Sequence, residues 1–99
     1  MNTTDSPQVI AIRARYQSSL PEKSEMLAAH ERVLETSQDE QTLKELKDDL
    51  HKLAGSSGMY GYHDISGLCR KAMYVIEQGE LADLGKYLGE VQNMLKQYA

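Results

Sequence analysis

The spacing of apolar residues constrains the fold of this chain more than any other feature. Apolar side chains recur every three or four positions through most of the sequence, and runs that alternate apolar and polar residues are absent. No Asn-Gly, Asp-Gly or Gly-Gly pair occurs, and these pairs are the strongest short signals for a hairpin. The pattern therefore predicts an all-α protein.

Turn-forming residues and capping signals divide the pattern into five helical segments. We predict helices over 7–19, from 21 to a break at 37–39, from about 39 onward, over 63–78 and over 80–98. The connections are short, which favours antiparallel neighbours. We expect an antiparallel up-down four-helix bundle with a short N-terminal capping helix. Because 99 residues hold only one core, the prediction is a single domain over residues 1–99.

Each segment carries a stripe of residues that we expect to face the core. In chain order the stripes are Val9, Ile12, Tyr16 and Leu20; Met26, His30, Val33 and Leu34; Leu43, Leu46, Leu50, Leu53 and Ser57; Ile65, Leu68, Cys69, Ala72, Val75 and Ile76; and Leu81, Leu84, Leu88, Val91, Leu95 and Tyr98. Phe and Trp are absent, so the aromatic part of the core has to come from tyrosine.

Charge and composition exclude several classes of function. Eleven basic residues are scattered among fifteen acidic ones, which argues against nucleic-acid binding because that requires clustered Lys and Arg. No apolar run is long enough to span a membrane, and residues 1–8 do not resemble a secretory signal. A single cysteine excludes an internal disulfide framework and the usual structural zinc sites. We expect a cytoplasmic, free-standing monomer that binds neither metal nor membrane.

The third segment contains glycines where a helix ordinarily avoids them. Gly55 and Gly58 each cost about 1 kcal/mol relative to alanine in a helix interior. His51 lies about 125° from the centre of the leucine stripe, on the solvent side. An outer stripe at helical spacing is formed by Lys44, Lys47, His51, Gly55 and Gly58. The sequence thus predicts an exposed imidazole with an open helix surface beside it, which a partner could approach closely.

An exposed imidazole is suited to phosphoryl transfer because neutral imidazole is a competent nucleophile near pH 7. The reaction also needs charge compensation on the phosphoryl oxygens and usually a metal ion. This sequence has no phosphate-binding glycine loop, no kinase motifs and no acidic metal pocket. The metal and the rest of the catalytic machinery must therefore come from a partner.

The motif around His51 resembles that of a known family. His51-x-Leu53-Ala54-Gly55-Ser56-Ser57, then Tyr60-Gly61-Tyr62 and Leu68-Cys69-Arg70, is similar to the histidine-containing phosphotransfer (HPt) domains of bacterial multistep phosphorelays. The resemblance implies a four-helix bundle whose exposed histidine relays a phosphoryl group between receiver-domain aspartates, here of a hybrid sensor kinase and a response regulator. It implies that His51 accepts the phosphoryl group, that Gly55 gives the receiver clearance, and that the receiver supplies Mg²⁺. The chain would then be a phosphoryl carrier rather than an enzyme.

One departure from the family pattern affects the phosphate site. Many members carry a lysine three residues after the histidine, where this chain has Ala54. We predict that Lys47, one turn before His51, compensates the phosphate charge instead. Ala54, Gly55 and Gly58 are further candidates for phosphate or partner contacts, and an apolar rim could come from Ala54, Met59 or Tyr62.

Two other functions stay open at this point. One is a non-catalytic helical adaptor that binds a receiver or kinase without taking phosphate. Ala54, at the position where many family members carry lysine, is consistent with that alternative. The other is the substrate domain of a chemotaxis-type histidine kinase. For Gly58, close helix packing is as good an explanation as docking, and we expect His30 at a core boundary and His63 at a helix start.

Overall fold

The computed structural model describes residues 6–99, and every regular element in that range is helical. The elements are α1 (Pro7–Ser18), α2 (Leu20–Leu34), α3 (Glu40–Met59), α4 (His63–Gln78), a short 3₁₀ helix (Leu81–Asp83) and α5 (Leu84–Tyr98). The all-α prediction is confirmed, with element bounds close to those expected. The parts of the domain and signal-peptide predictions that fall on residues 1–5 lie outside the described residues.

Helices α2 to α5 form an antiparallel bundle in which each helix packs against two others. α3 packs against α2 and α4, and α5 packs against α4 and α2 on the opposite side. Side-chain contacts fix the antiparallel register of the α3–α4 pair. The Ser66 hydroxyl donates to the Ala54 carbonyl at 2.8 Å, and Lys47 forms an ion pair with Glu77 at 3.3 Å further along.

Local signals fix where the long helices begin and end. The Asp39 side chain accepts a hydrogen bond from the Thr42 backbone N–H at 2.8 Å, which caps the N-terminus of α3. This backbone hydrogen bond lowers the pKa of the Asp39 carboxyl. α4 ends where Gly79 adopts a left-handed conformation with φ of 72°, which glycine tolerates without strain.

The core is aliphatic and lies between the four long helices. Among residues 6–99, fourteen apolar residues are buried: Leu20, Leu27, Leu46, Leu50, Leu53, Ala54, Ile65, Cys69, Ala72, Val75, Leu84, Leu88, Val91 and Leu95. The predicted stripes of α3, α4 and α5 supply most of them, so the periodicity identified the inward faces of these helices. Tyr98, by contrast, is 36% exposed, and four other predicted core positions of these segments are only half-buried: Leu43, Leu68, Ile76 and Leu81.

The first two helices differ from the prediction. α1 has no buried residue, and Val9 and Ile12 are 37% and 43% exposed, so the predicted stripe of α1 is wrong at these positions. In α2 the buried residues are Leu20, Ser24 and Leu27, whereas Val33 is 47% exposed. Only residue 19 separates α1 from α2. The molecule is 49 Å long, whereas α3, with twenty residues, spans only about 30 Å. The outer turns of α1 therefore extend past the end of the bundle, where no helix covers them.

Candidate functional site

His51 lies near the middle of α3 with its side chain exposed. Its neighbours Leu50 and Ala54 are buried in the core, and this orientation of the helix turns residue 51 outward. Within residues 6–99 the imidazole has neither a hydrogen-bond partner nor an ion-pair partner. The ring is therefore free to react or to bind a partner.

Gly55 lies one turn after His51 and leaves the helix surface open. It is exposed, and a Cβ added there would meet no atom within 4 Å. Packing inside this chain therefore does not require a glycine at position 55. The glycine instead leaves the helix surface beside the imidazole open, so that a second protein can approach the ring.

Ala54 and Gly58 do not form part of that open surface. Ala54 is only 3% exposed, which corrects the prediction that its side chain contacts phosphate or a partner. Gly58 is half-buried against α4, and a Cβ there would lie 3.3 Å from the Ser66 Oγ. Close packing of α3 on α4 therefore accounts for this glycine, so of the two glycines only Gly55 faces open space.

The two lysines of the outer stripe are both held by acidic residues. Lys44 forms an ion pair with Asp48 at 3.2 Å on the same helix. Lys47, predicted to compensate the phosphate charge, pairs with Glu77 of α4 at 3.3 Å. Lys47 thus lies near His51 as expected, but its charge is already balanced.

A shallow cleft between α3 and α4 runs past His51. Its lining residues are Lys47, Asp48, His51, Arg70, Met73, Tyr74 and Glu77. Four of them come from α4, and Tyr74 is 59% exposed. Sequence reasoning did not include these α4 residues in the site, although the expected antiparallel α3–α4 pairing was the signal that could have indicated them.

Only one of the three expected rim residues is well exposed. Met59, at the end of α3, is 78% exposed. Tyr62 instead packs in an aromatic cluster at this end of the bundle, 5.9 Å from the Tyr16 ring and 4.9 Å from the Tyr98 ring between centroids. Tyr16 also stacks on Tyr60 at 4.5 Å. Tyr62 therefore contributes to packing of the bundle end.

The other candidate reactive groups lie elsewhere. The Cys69 thiol is buried, and desolvation raises its pKa to about 12, so it remains protonated. His30 is half-buried and contacts Asp49 at 2.7 Å, while His63 is the first residue of α4. In the described part of the chain no three His, Cys, Asp or Glu side chains converge as a metal site.

Comparison with protein families identifies the type of domain. The family model for the Hpt domain matches residues 12–99, nearly the whole chain. The chain belongs to the Hpt family. Comparison with curated proteins and with solved structures found no match.

Membership of the Hpt family establishes the general role of the bundle. Hpt domains carry phosphoryl groups in two-component signalling, and they interact with receiver domains. They are phosphoryl carriers and generally not catalytic enzymes. None of the described helices is both long enough and apolar enough to cross a bilayer.

Proposed function

We propose that this Hpt domain is a phosphorelay intermediate that accepts a phosphoryl group on His51 from the aspartate of one receiver domain. It then passes the group to the aspartate of a second receiver, in a response regulator. The observation that carries this proposal is the exposed, unpartnered imidazole in mid-helix beside the open surface at Gly55. The other two histidines lack that combination.

The transfer step requires only the ring nitrogen lone pair from this chain. The unprotonated nitrogen of His51 attacks the phosphorus of an aspartyl phosphate, and a P–N bond forms as the P–O bond to the carboxyl breaks. The electron pair of the broken bond remains on the aspartate as carboxylate. The ring keeps its other N–H, so the product is an imidazolium bearing the phosphoryl group, and the reverse step loads the second receiver.

A metal ion for this reaction does not fit the residues around His51. The two carboxylates that line the cleft, Asp48 and Glu77, are each paired with a lysine. Hard divalent cations need several free oxygen ligands. We therefore assign the Mg²⁺ site to the receiver, together with its acidic pocket.

The docking face comprises His51, Gly55 and the neighbouring α4 side of the cleft. A relay intermediate must release one partner before it meets the next, so the contact area should be below about 1,200 Å² in total. Exposed Tyr74 supplies an aromatic contact for such a transient interface. We propose that the protein acts as a cytoplasmic monomer between a hybrid sensor kinase and a response regulator.

The proposal is tested by phosphorylating the protein and locating the phosphate. The wild type is incubated with phosphorylated receiver domains and Mg²⁺, and separately with phosphoramidate, and the products are read by intact mass. We expect one added phosphoryl group that is labile in acid and stable in alkali. His51→Gln should lose it completely without loss of helicity.

His63→Gln is the matched control because His63 is also an exposed helical histidine. It should be phosphorylated to the same extent as the wild type. Retained phosphorylation of His51→Gln would overturn the assignment of His51. A wild type that binds a receiver but takes no phosphate from any donor would contradict the relay and leave the adaptor function.

A further inference from the structure

We propose that Arg70 of α4 is the residue that binds the phosphoryl group on His51 and compensates its charge. This inference rests on the proposed function, because it concerns the phosphorylated form of the same histidine. It assigns to α4 a role that the sequence pattern led us to expect from Lys47 on α3.

The charges lining the cleft favour Arg70 over the lysines of α3. Lys44 is paired with Asp48 and Lys47 with Glu77, so a phosphate that recruited either lysine would have to displace a carboxylate. Arg70 is exposed and has no ion-pair or hydrogen-bond partner among residues 6–99. Among the described residues that line this cleft, Arg70 is therefore the cation that a new anion could bind without displacing a carboxylate.

The neighbouring basic residues face other grooves. Lys52 lines a depression between α2 and α3 that it shares with Met26 and Leu53. Lys71 lines the groove between α4 and α5 with Glu90. Neither of these grooves includes His51, whereas Arg70 and His51 line the same cleft.

The register of the α3–α4 pair brings residue 70 level with residue 51. Two contacts bracket His51 along the pair: Ser66 with Ala54 on one side, and Glu77 with Lys47 on the other. On α4, Arg70 lies between Ser66 and Glu77, one turn after Ser66. A long arginine side chain at this position can extend along the cleft toward a group on the His51 ring.

The chemistry of the guanidinium suits this task. Its planar fork can donate two parallel hydrogen bonds to phosphoryl oxygens, and it remains protonated at every relevant pH. Ala54, at the position where many family members carry lysine, is buried and has no charge to offer. A cation from α4 would balance the negative charge of the phosphoryl group, for which α3 offers no unpaired lysine in this cleft.

The experiment measures the phosphoryl group directly. The protein is loaded with phosphoramidate, and the pKa of the phosphohistidine phosphate is followed by ³¹P NMR. Because a bound guanidinium favours the dianion, Arg70→Gln should raise this pKa, and Arg70→Lys should restore part of the difference. Arg70→Gln should also lower the rate constant of transfer from a phosphorylated receiver by about tenfold, as expected for one lost charge-assisted contact.

Two controls separate Arg70 from its surroundings. The double variant Lys47→Gln/Glu77→Gln removes the neighbouring ion pair without changing net charge, and it should leave the phosphate pKa as in the wild type. Arg32→Gln removes an exposed arginine from α2, outside the cleft, and should also have no effect. Circular dichroism should show equal helicity for all variants, since each altered side chain is at the surface.

The outcomes distinguish this inference from the proposed function. If the wild type takes phosphate but Arg70→Gln leaves the pKa of the phosphohistidine phosphate and the transfer rate unchanged, the role proposed for Arg70 is wrong. The proposed relay through His51 is then unaffected. The same holds if the Lys47/Glu77 double variant shifts the phosphate pKa as much as Arg70→Gln does. If the wild type takes no phosphate from any donor, both the relay and the role of Arg70 are overturned.

Discussion

At the scale of single residues, the three histidines differ in what surrounds them. His30 is half-buried and held by Asp49, which makes it part of the α2–α3 contact. His63 is exposed but begins a helix, so no open helical surface precedes it. His51 combines exposure, a mid-helix position and a glycine one turn away. This combination, more than the residue type, is the reason for proposing His51 as the phosphoryl acceptor.

The two glycines that follow His51 should respond in opposite ways to a large side chain. Gly55→Leu adds its side chain to open space, so it should fold as well as wild type or gain about 1 kcal/mol from helix propensity. It should nevertheless slow transfer from a phosphorylated receiver, because the added side chain covers the approach to His51. Urea unfolding and transfer kinetics measure the two effects separately.

Gly58→Leu is the matched comparison on the same helix. Its Cβ would already crowd the Ser66 hydroxyl, which is bound to the Ala54 carbonyl, so we expect a loss of about 1–3 kcal/mol from overpacking. A transfer rate equal to that of the wild type in Gly55→Leu would contradict the idea that Gly55 keeps the approach to His51 open. Unchanged stability of Gly58→Leu would contradict the idea that Gly58 is needed for close packing of α3 on α4.

At the scale of elements, α3 depends on a charged cap at its start. The Asp39 carboxylate accepts from the Thr42 backbone N–H, and its pKa is lowered in the folded protein. A carboxyl whose folded pKa is lowered stabilises the protein above its unfolded pKa, and this contribution disappears as pH falls through the folded pKa. The cap should therefore matter at neutral pH and lose importance in acid.

Asp39→Ala tests this dependence on pH. At pH 7 the variant should unfold at lower urea concentration than wild type, and the difference should shrink as the pH falls below about 4. Asp39→Asn also lacks the titrating carboxyl, so its deficit should shrink with falling pH in the same way, but it should be smaller than that of Asp39→Ala because the amide oxygen can still cap the helix. A deficit of Asp39→Ala that stayed constant from pH 7 to acid would contradict a role for the charged form.

How far the elements could be predicted depends on whether a stripe has a partner. Periodicity identified the inward faces of α3, α4 and α5 because other helices cover them. For α1 the same pattern predicted burial of Val9 and Ile12, yet nothing covers them, since periodicity does not reveal what a helix packs against. Arg70 was missed as a site residue for a related reason: its place beside His51 depends on the register between two helices, which spacing along one helix does not determine.

At the scale of the whole molecule, α1 contacts the bundle through its last turn. The Tyr16 hydroxyl lies 2.7 Å from the Ser56 Oγ, and its ring stacks on Tyr60 at 4.5 Å. Lys23 lies above the same ring at 4.9 Å. The Ile10 side chain, further from the bundle, is 56% exposed. Stability should therefore depend on Tyr16 and hardly on the apolar residues before it.

This division within α1 can be measured with two variants. Tyr16→Ala should cost about 2 kcal/mol, because it removes a half-buried ring, its stacking and its hydrogen bond. The double variant Val9→Ser/Ile12→Ser should unfold within about 0.5 kcal/mol of wild type, as expected for exposed positions. Hydrogen exchange should show weak amide protection in the first turns of α1 and strong protection in α3. A loss in the double variant as large as that of Tyr16→Ala would mean that α1 packs on the bundle along its whole length.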